Sequence, residues 1–592
     1  MAPLAIAPGV LSAYDITPKI AILLFCESVL LIFCKQLVNG VLTLFESTCG
    51  KLYVLCLAAQ WLSIALSTFW SSNPMLSVAG SSWRRYGLIG ESAILLFALI
   101  VAGWFAEDRS RIRVALRTAV ATGAAASLYG IAQYFGWDPL FPSSAYQSGE
   151  GPFTIVRPPG TFGHADYFAN WLVIVAFFAL ALARLEDDRL WKITARVTML
   201  LAAFAIVLSG TRSALLGLLA GAMVFVAIAR PRIDRKALLI MTAAAACLAM
   251  LYISPAGAKL RARVHWSLDD VGGGARIVLW RDSLHMAMRR PILGFGPETF
   301  TQQFPLFESV ELSRAYPDFY QESPHNMFLD DLTSRGLPGA LSLLAVCALV
   351  FWAARSNAAL AAALTGAIVC QQFMVLTIPT ALYFYLLLSM IIASEIPSRP
   401  AEPRRFSVIL MPLAAAIAIA FCAFAVRLIV ADHAMALAEQ RTQSGDVQGA
   451  TEAYRTVQRW GSYYGDSDLR YSRAMTRLAT TTRSFATSVA AAQQAIESSV
   501  RATATAEDRQ NAWYNFATIA AVRNDRAGVE NGLRSAIACA PNWFKPHWTL
   551  SQLLELTGRH PEARREASIA MELDGGHDPE VTETSQRILS HP

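Results

Sequence analysis

The chain has 592 residues, of which 54% are hydrophobic and only 16% charged, with a mean hydropathy of +0.39. A soluble domain carries about 25% charged residues, so this composition excludes a disordered chain and a purely cytosolic enzyme. The formal net charge of +6 is small for the length, and the basic residues sit mainly in short loops, which reports membrane topology rather than nucleic-acid binding.

The N-terminus lacks a basic stretch followed at once by an apolar run and a small-residue cleavage site, so no cleaved signal peptide is expected. Apolar blocks of spanning length follow, near 19–40, 51–70, 86–104, 112–135, 166–184, 190–209, 211–229, 236–254, 337–354, 358–377, 379–395 and 406–430. Runs this long without alternation are helices. The expected fold is therefore all-α: a polytopic bundle of about twelve helices over 1–430, with a large loop 255–336, and an α-helical domain over 431–592.

Four loops are basic: Arg109, Arg111 and Arg113; Arg184, Arg189 and Lys192; Arg230, Arg232, Arg235 and Lys236; and Arg399, Arg404 and Arg405. All follow odd-numbered segments, so they share one side, and the positive-inside bias makes it cytoplasmic. The turn 71–85, the loops 136–165 and 255–336, and the tail then face outward. The same count puts the N-terminus outside. Of nine cysteines, eight lie in or beside apolar blocks and Cys539 is in the tail; without a CxxC pair neither zinc nor disulfides are indicated.

Five polar stretches interrupt the apolar pattern. The first, SSWRRYG, carries Arg84 and Arg85 and by itself reads as a membrane-edge anchor. The second, Arg157-Pro-Pro-Gly160-Thr-Phe-Gly163-His164-Ala-Asp-Tyr167, has glycines that allow a tight path and two polar groups near a membrane mouth; a solvated loop is the alternative. The third, Ser209-Gly-Thr-Arg212-Ser213, puts an arginine at a membrane boundary, where it snorkels or serves a site. In the fourth, Arg276, Trp280 and the stretch through Met286 or Met288 fall at helical spacing. Arg281 lies beside them, and guanidinium forks suit phosphate oxygens; solvated loop arginines are the alternative. The GxG at 294–296 reads as a turn. In the fifth, Ser323-Pro-His325-Asn326-Met-Phe-Leu-Asp330, the histidine heads a helix, suited to move a proton or simply to cap, with Asn326 or Asp330 to orient it.

In the tail a 34-residue self-similarity pairs Phe516 with Leu550, Ala520 with Leu554, Leu533 with Ala567 and Ala536 with Ala570, with a weaker third copy at 434–460. The period resembles that of tetratricopeptide repeats, whose stacked helix pairs hold peptides or protein partners; a generic helical bundle is the alternative.

The segments RPPGTFGHADYFAN, SGTRSALLGLLAG, ARIVLWRDSLHMAMRRPILGFGPETF and SPHNMFLDDLTSRGLPG, in this order over roughly 50–395, together resemble the O-antigen ligase family, which is related to O-antigen polymerases and bacterial O-oligosaccharyltransferases. The resemblance implies transfer of a glycan from an undecaprenyl-diphosphate carrier to a hydroxyl of lipid A-core, glycan or protein, outside the bacterial inner membrane. It implies an inverting reaction without metal, nucleotide or other cofactor. It further implies His325 as base and Arg212 and Arg276 as catalytic arginines, with Arg157, Gly160, His164, Arg281, Asn326 and Arg84 binding substrate. SSWRRYG matters only through this resemblance: Arg84 or Arg85 is the candidate for a basic residue that some family members carry near the early outer turn, and it reads equally as a membrane-edge anchor. Two other readings remain at this point. One is a transporter or flippase of polar lipids, which would show corresponding broken helices in two halves. The other is a non-catalytic membrane anchor for a protein-binding repeat domain.

Overall fold

The computed structural model describes residues 1–148, 155–231, 235–269, 274–317, 320–397, 410–461 and 465–590. The basic residues Arg232, Arg399, Arg404 and Arg405 lie outside them. The described chain is essentially all-α. The first helices are α1 (Thr17–Leu31), α2 (Cys34–Leu44), α3 (Thr48–Phe69), α4 (Pro74–Ala79), α5 (Leu88–Glu107) and α6 (Ser110–Tyr134). A two-residue strand pair, β1 (Gln147–Ser148) with β2 (Ile155–Val156), leads to α7 (Ala165–Leu185), α8 (Arg189–Ser209), α9 (Arg212–Ala229) and α10 (Arg235–Ile253). The large loop carries α11 (Ala258–Asp269), α12 (Arg276–Arg289), α13 (Phe300–Gln303) and α14 (Val310–Ala315). The bundle ends with α15 (Met327–Ala353), α16 (Ala358–Cys370), α17 (Ile378–Ser394) and the start of α18 (Leu410–Gln443).

Among the described residues the twelve apolar segments fall largely on helical structure, the start of 406–430 lying outside them, but they are not twelve equivalent crossings. Among the described residues eight helices are long and apolar enough to span a membrane, or nine if α1 and α2 count as one broken span. The segment 19–40 is in fact two helices meeting at 95°. The segment 358–377 stops at Cys370, so α16 has only 13 residues and α17 only 17, too short to cross alone. Their junction is held inside the protein: the Gln371 carbonyl accepts the Met327 amide at 2.9 Å, and Thr377 and Thr380 close a reciprocal cap on α17. Hydropathy runs on through this break because its middle, 373–376, is apolar and mostly buried in protein.

Close helix packing follows from small residues. A Cβ on Gly217 would meet Gly366 O at 2.7 Å, and one on Gly221 would meet Ala362 O at 2.6 Å, so α9 lies backbone to backbone on α16. The basic loops gather at the far end of the bundle. Arg117 binds Glu186 at 2.7 Å, Arg113 reaches Asp187 at 3.5 Å, and Arg109 donates to Ile396 O at 2.5 Å. Helix α7 runs its 21 residues, about 30 Å, between this face and the opposite mouth.

At that mouth α18 continues without a break from its apolar half into the tail. The tail adds α19 (Val447–Trp460), α20 (Ser467–Thr481), α21 (Phe485–Thr505), α22 (Arg509–Val522), α23 (Arg526–Cys539), α24 (Phe544–Leu556), α25 (His560–Asp574) and α26 (Pro579–Ser590). They pack as successive pairs, α18 with α19, α20 with α21, α22 with α23 and α24 with α25. Helices α23 and α25 begin at Arg526 and His560, one 34-residue period apart, and Ala520, Leu533, Leu554 and Ala567 from the matched positions share one core. The tail does not hang free. Glu507 accepts the Ser82 amide at 2.8 Å, Gln302 donates to Ala506 O at 3.2 Å, and Asn542 donates to Glu308 O at 2.6 Å. The N-terminal segment lies at the same face, with the Ala13 amide on the Asp432 carboxylate at 3.0 Å.

Candidate functional site

The loop before α7 turns where only glycine is comfortable. Gly160 has φ +56°, and a Cβ there would sit 2.7 Å from the Phe168 ring. Its amide donates to Gln133 Oε1 at 2.9 Å, which fixes the loop against α6. His164 then caps α7, its Nδ1 accepting the Asp166 amide at 3.2 Å. This leaves Asp166 in the first turn of α7, facing the mouth with its side chain only 14% exposed.

Asp166 is the hub of the site. It pairs with Arg157 and accepts Thr211 Oγ1 at 2.9 Å, while His164 Nδ1 lies 3.8 Å away. Thr211 precedes α9, whose first residue is Arg212, after a left-handed turn at Gly210 (φ +63°), and spends its hydroxyl on Asp166 rather than on capping the helix. Arg276, the first residue of α12, is within electrostatic reach of Asp166, Arg212 and Arg157. Its guanidinium stands 5.9 Å from the Phe373 ring centre, in the α16–α17 break. Three arginines from three separated segments thus gather at this mouth: Arg157 pairs with Asp166, Arg276 is within electrostatic reach of that carboxylate, and Arg212 is within reach of Arg276. Burial lowers the Arg276 pKa, and the Asp166 charge opposes that shift.

His325 completes the group. Trp280 Nε1 donates to Pro324 O at 3.1 Å, so α12 carries both Arg276 and the prop for the histidine's loop. The His325 backbone has φ +49°, unusual for a residue with a Cβ. Its Nδ1 is buried and has no hydrogen-bond partner among the described residues. Burial, and then the Arg276 charge, lower its pKa to about 4, so the ring is neutral at pH 7. Burial also lowers the His164 pKa, against the pull of Asp166.

Three expected site residues lie elsewhere or act differently. Arg281 is exposed and bonded to Glu311 at 2.9 Å, Ser309 at 2.9 Å and Asp282 at 3.1 Å. Five residues past Arg276 on one helix, it is turned by about 140° away from the Arg276 face. Asn326 spends its side chain on α15, accepting the Phe328 and Leu329 amides at 3.0 and 3.2 Å and donating to Gln372. Neither it nor Asp330 hydrogen-bonds His325 among the described residues. Arg84 is no membrane-edge anchor: it is 3% exposed, clamped by Glu298 at 2.5 Å and bidentately by Asp330 at 2.8 and 3.2 Å. Burial alone would weaken its hold on its proton, and the two carboxylates outweigh that and raise its pKa. Arg84 therefore ties the turn 80–87 to the helix that follows His325.

Sequence reasoning passed over Asp166, Thr211, Glu298 and Phe373. Asp166 stood inside a quoted motif. Its signal was the mismatch between several arginines at a membrane mouth and one acidic residue among them. Among the described residues no cluster of three or more His, Cys, Asp or Glu side chains could hold a metal ion.

No curated protein matches the chain. Residues 197–344, which include Arg212, Arg276 and His325, match the family model described as O-Antigen ligase. The chain is a polytopic membrane protein whose matched segment supports the O-antigen ligase family, and with it a membrane glycan ligase or glycosyltransferase that takes a lipid-linked glycan donor and a glycan acceptor.

Proposed function

We propose that the protein transfers a glycan from undecaprenyl diphosphate to an acceptor hydroxyl at the outer face of the bacterial inner membrane. The acceptor is lipid A-core, a second glycan or a protein side chain. The observation that carries this reading is the gathering of Arg157 and Arg276 about Asp166, with Arg212 in reach of Arg276, beside the Nδ1 of His325, which has no hydrogen-bond partner among the described residues.

In this mechanism Asp166 holds Arg157 by direct pairing and draws Arg276 towards it before substrate arrives, so little reorganisation is needed when the diphosphate lands among the arginines. As the bond from the anomeric carbon to the diphosphate oxygen breaks, the electron pair goes to that oxygen, and the guanidinium groups stabilise the growing charge. The acceptor oxygen bonds the anomeric carbon from the opposite side, which inverts it. The acceptor proton passes to His325. A general base of this kind contributes about 10²–10⁴-fold. A histidine with a pKa of about 4 is neutral and ready to accept, but weakly basic. A diphosphate beside Arg276 offsets the Arg276 part of that depression and leaves the larger burial part, so the base strengthens somewhat when the donor is bound. Every step runs through this chain's own side chains, without a metal or nucleotide.

The positive-inside bias supports a cytoplasmic basic face and a periplasmic site and tail. The helix pairs and the 34-residue period of the tail support tetratricopeptide-like repeats that engage a protein partner. The transfer reading is tested with purified full-length protein, an undecaprenyl-diphosphate oligosaccharide and each acceptor class, with EDTA present. Glycan appearing on one acceptor, and on none with Arg276→Ala or His325→Ala at matched folded amounts, is the expected result. Carrier lipid moved across proteoliposomes with no transfer would put a transporter in its place. The orientation is tested with an impermeant thiol label against Thr503→Cys in spheroplasts; labelling only after lysis would reverse it.

A further inference from the structure

The tail roofs a cavity of about 410 Å³ that opens from the site. Its floor includes Gly163, His164 and Tyr167 of the motif that carries Asp166, and its roof is built from α20 and the start of α22. The volume is that of a small-ligand pocket, and pockets of this kind orient ligands with a few fixed polar groups on largely apolar walls.

The lining selects among ligands. Trp83, Tyr167 and Tyr320 supply aromatic rings, and Glu322, Asp466 and Asp508 supply carboxylates. The bordering cations are already engaged: Lys19 donates to Thr161 O at 2.6 Å, Arg470 to Ser12 and Glu439 at 2.7 and 2.5 Å, and Arg473 to Asn511 at 3.1 Å. A prenyl chain would bury the Glu322, Asp466 and Asp508 carboxyl groups without offering them a hydrogen-bond donor. Glu322, Asp466 and Asp508 on the same wall disfavour a phosphate beside them. Rings that take the C–H faces of a sugar, beside oxygens that accept its hydroxyls, fit an uncharged oligosaccharide. Asp466 Oδ1 accepts the amides of Glu507 and Asp508 at 3.0 and 3.4 Å, and a carboxylate with about four acceptor positions keeps capacity for more.

We propose that this cavity is a glycan subsite shared by the membrane domain and the helical tail, which holds uncharged sugars adjacent to the reacting bond. It rests on the transfer reading. The sugars are those of the donor oligosaccharide or those of the acceptor, and the tail is then part of the substrate site as well as a surface for partners.

Ala13 lines the cavity, so Ala13→Cys in the full-length protein reports its occupancy. Modification of that residue by N-ethylmaleimide is followed by peptide mass spectrometry under three additions: the host's undecaprenyl-diphosphate oligosaccharide, undecaprenyl diphosphate alone, and the acceptor glycan alone. The expected result is slowing of about tenfold at ten times the dissociation constant with one of the two glycan-bearing ligands. Which of them slows it identifies the source. Equal slowing by undecaprenyl diphosphate alone would make the cavity a lipid-phosphate site and overturn the proposal. Transfer that proceeds with no slowing by either glycan would overturn it and leave the transferase reading intact. Slowing by glycan in a protein that transfers nothing would keep the subsite and remove the transfer reading. As a second readout, Asp508→Asn, which keeps the cap on α22, is expected to raise KM for the glycan-bearing substrate several-fold with kcat unchanged. A changed kcat with unchanged KM would contradict it.

Discussion

Asp166 shows how far a single residue can be read from sequence. The arginines were visible because cations at a membrane boundary are expensive and call for an explanation. Their common partner was not, because Arg157, Asp166, Arg212 and Arg276 meet only once α7, α9 and α12 are packed. Asp166→Asn is expected to lower transfer about 10²–10³-fold at matched folded amounts, since the arginines lose their preset positions; initial rates check this. The opposite result is expected at Arg281, which sequence spacing placed beside the site but the helix turns toward Glu311. Arg281→Ala leaves transfer close to the wild type, whereas Arg276→Ala abolishes it. His325 adds a pH signature. Its pKa is lowered to about 4, so the ring is competent above that value and lost to protonation below it. The acid limb of kcat/KM, which reports the free protein, is expected near pH 4 rather than at the ordinary histidine value of about 6.5. A limb at 6.5 would remove His325 as the base.

At the level of elements, apolar runs located the helices well and divided them poorly. The run 19–40 hides a 95° bend, and 358–377 hides the end of α16, because hydropathy reports burial from water and not chain direction. The region after His325 was more legible. Gly336 and Pro338 mark a boundary, and α15 does kink there, with Gly336 at φ +67°. A Cβ at Gly336 would stand 2.4 Å from Ile292 O, so the break is also where the 290–296 turn packs. The Phe295 and Gly296 amides donate to Thr333 and Ser334 carbonyls at 2.9 Å from this turn. Gly336→Ala is expected to destabilise the protein by about 1–3 kcal/mol through strain and contact, read as a lower Tm in detergent. An unchanged Tm would mean that the kink is dispensable.

On the scale of the whole molecule, composition divides the chain at about 430, where the structure runs α18 without a break from Leu410 to Gln443, and the sequence held no sign that bundle and tail dock. Docking depends on Glu507 meeting Ser82, Gln302 meeting Ala506 and Asn542 meeting Glu308, pairings between segments hundreds of residues apart, while Asp466 braces the tail's own loop by accepting the Glu507 and Asp508 amides. The docked carboxylates leave water. Burial pushes Asp508 up to about 7 and raises Asp466 and Glu507, with the Asp466 charge adding to the latter and to Asp508. Arg473, Asn511 and Arg85 work against these shifts. A carboxyl with a raised folded-state pKa binds its proton more tightly when docked. Its contribution is therefore fully present below the ordinary value of about 4 and is lost as pH rises through about 7. Tail docking is expected to loosen from pH 5 to pH 8, seen as faster protease cleavage between the domains, and Asp508→Asn is expected to flatten that dependence. Cleavage that slows with rising pH would contradict it.

The central claim is that arginines preset by Asp166 stabilise a diphosphate leaving group while His325 takes the acceptor proton. The most direct measurement is the initial rate of glycan transfer from undecaprenyl-diphosphate oligosaccharide by purified wild-type protein and its Asp166→Asn, Arg276→Ala, His325→Ala and Arg281→Ala variants, with folded amounts matched. The account predicts transfer by the wild type and Arg281→Ala, a large loss in Asp166→Asn, and none in the other two. Full transfer by His325→Ala or Arg276→Ala would contradict it.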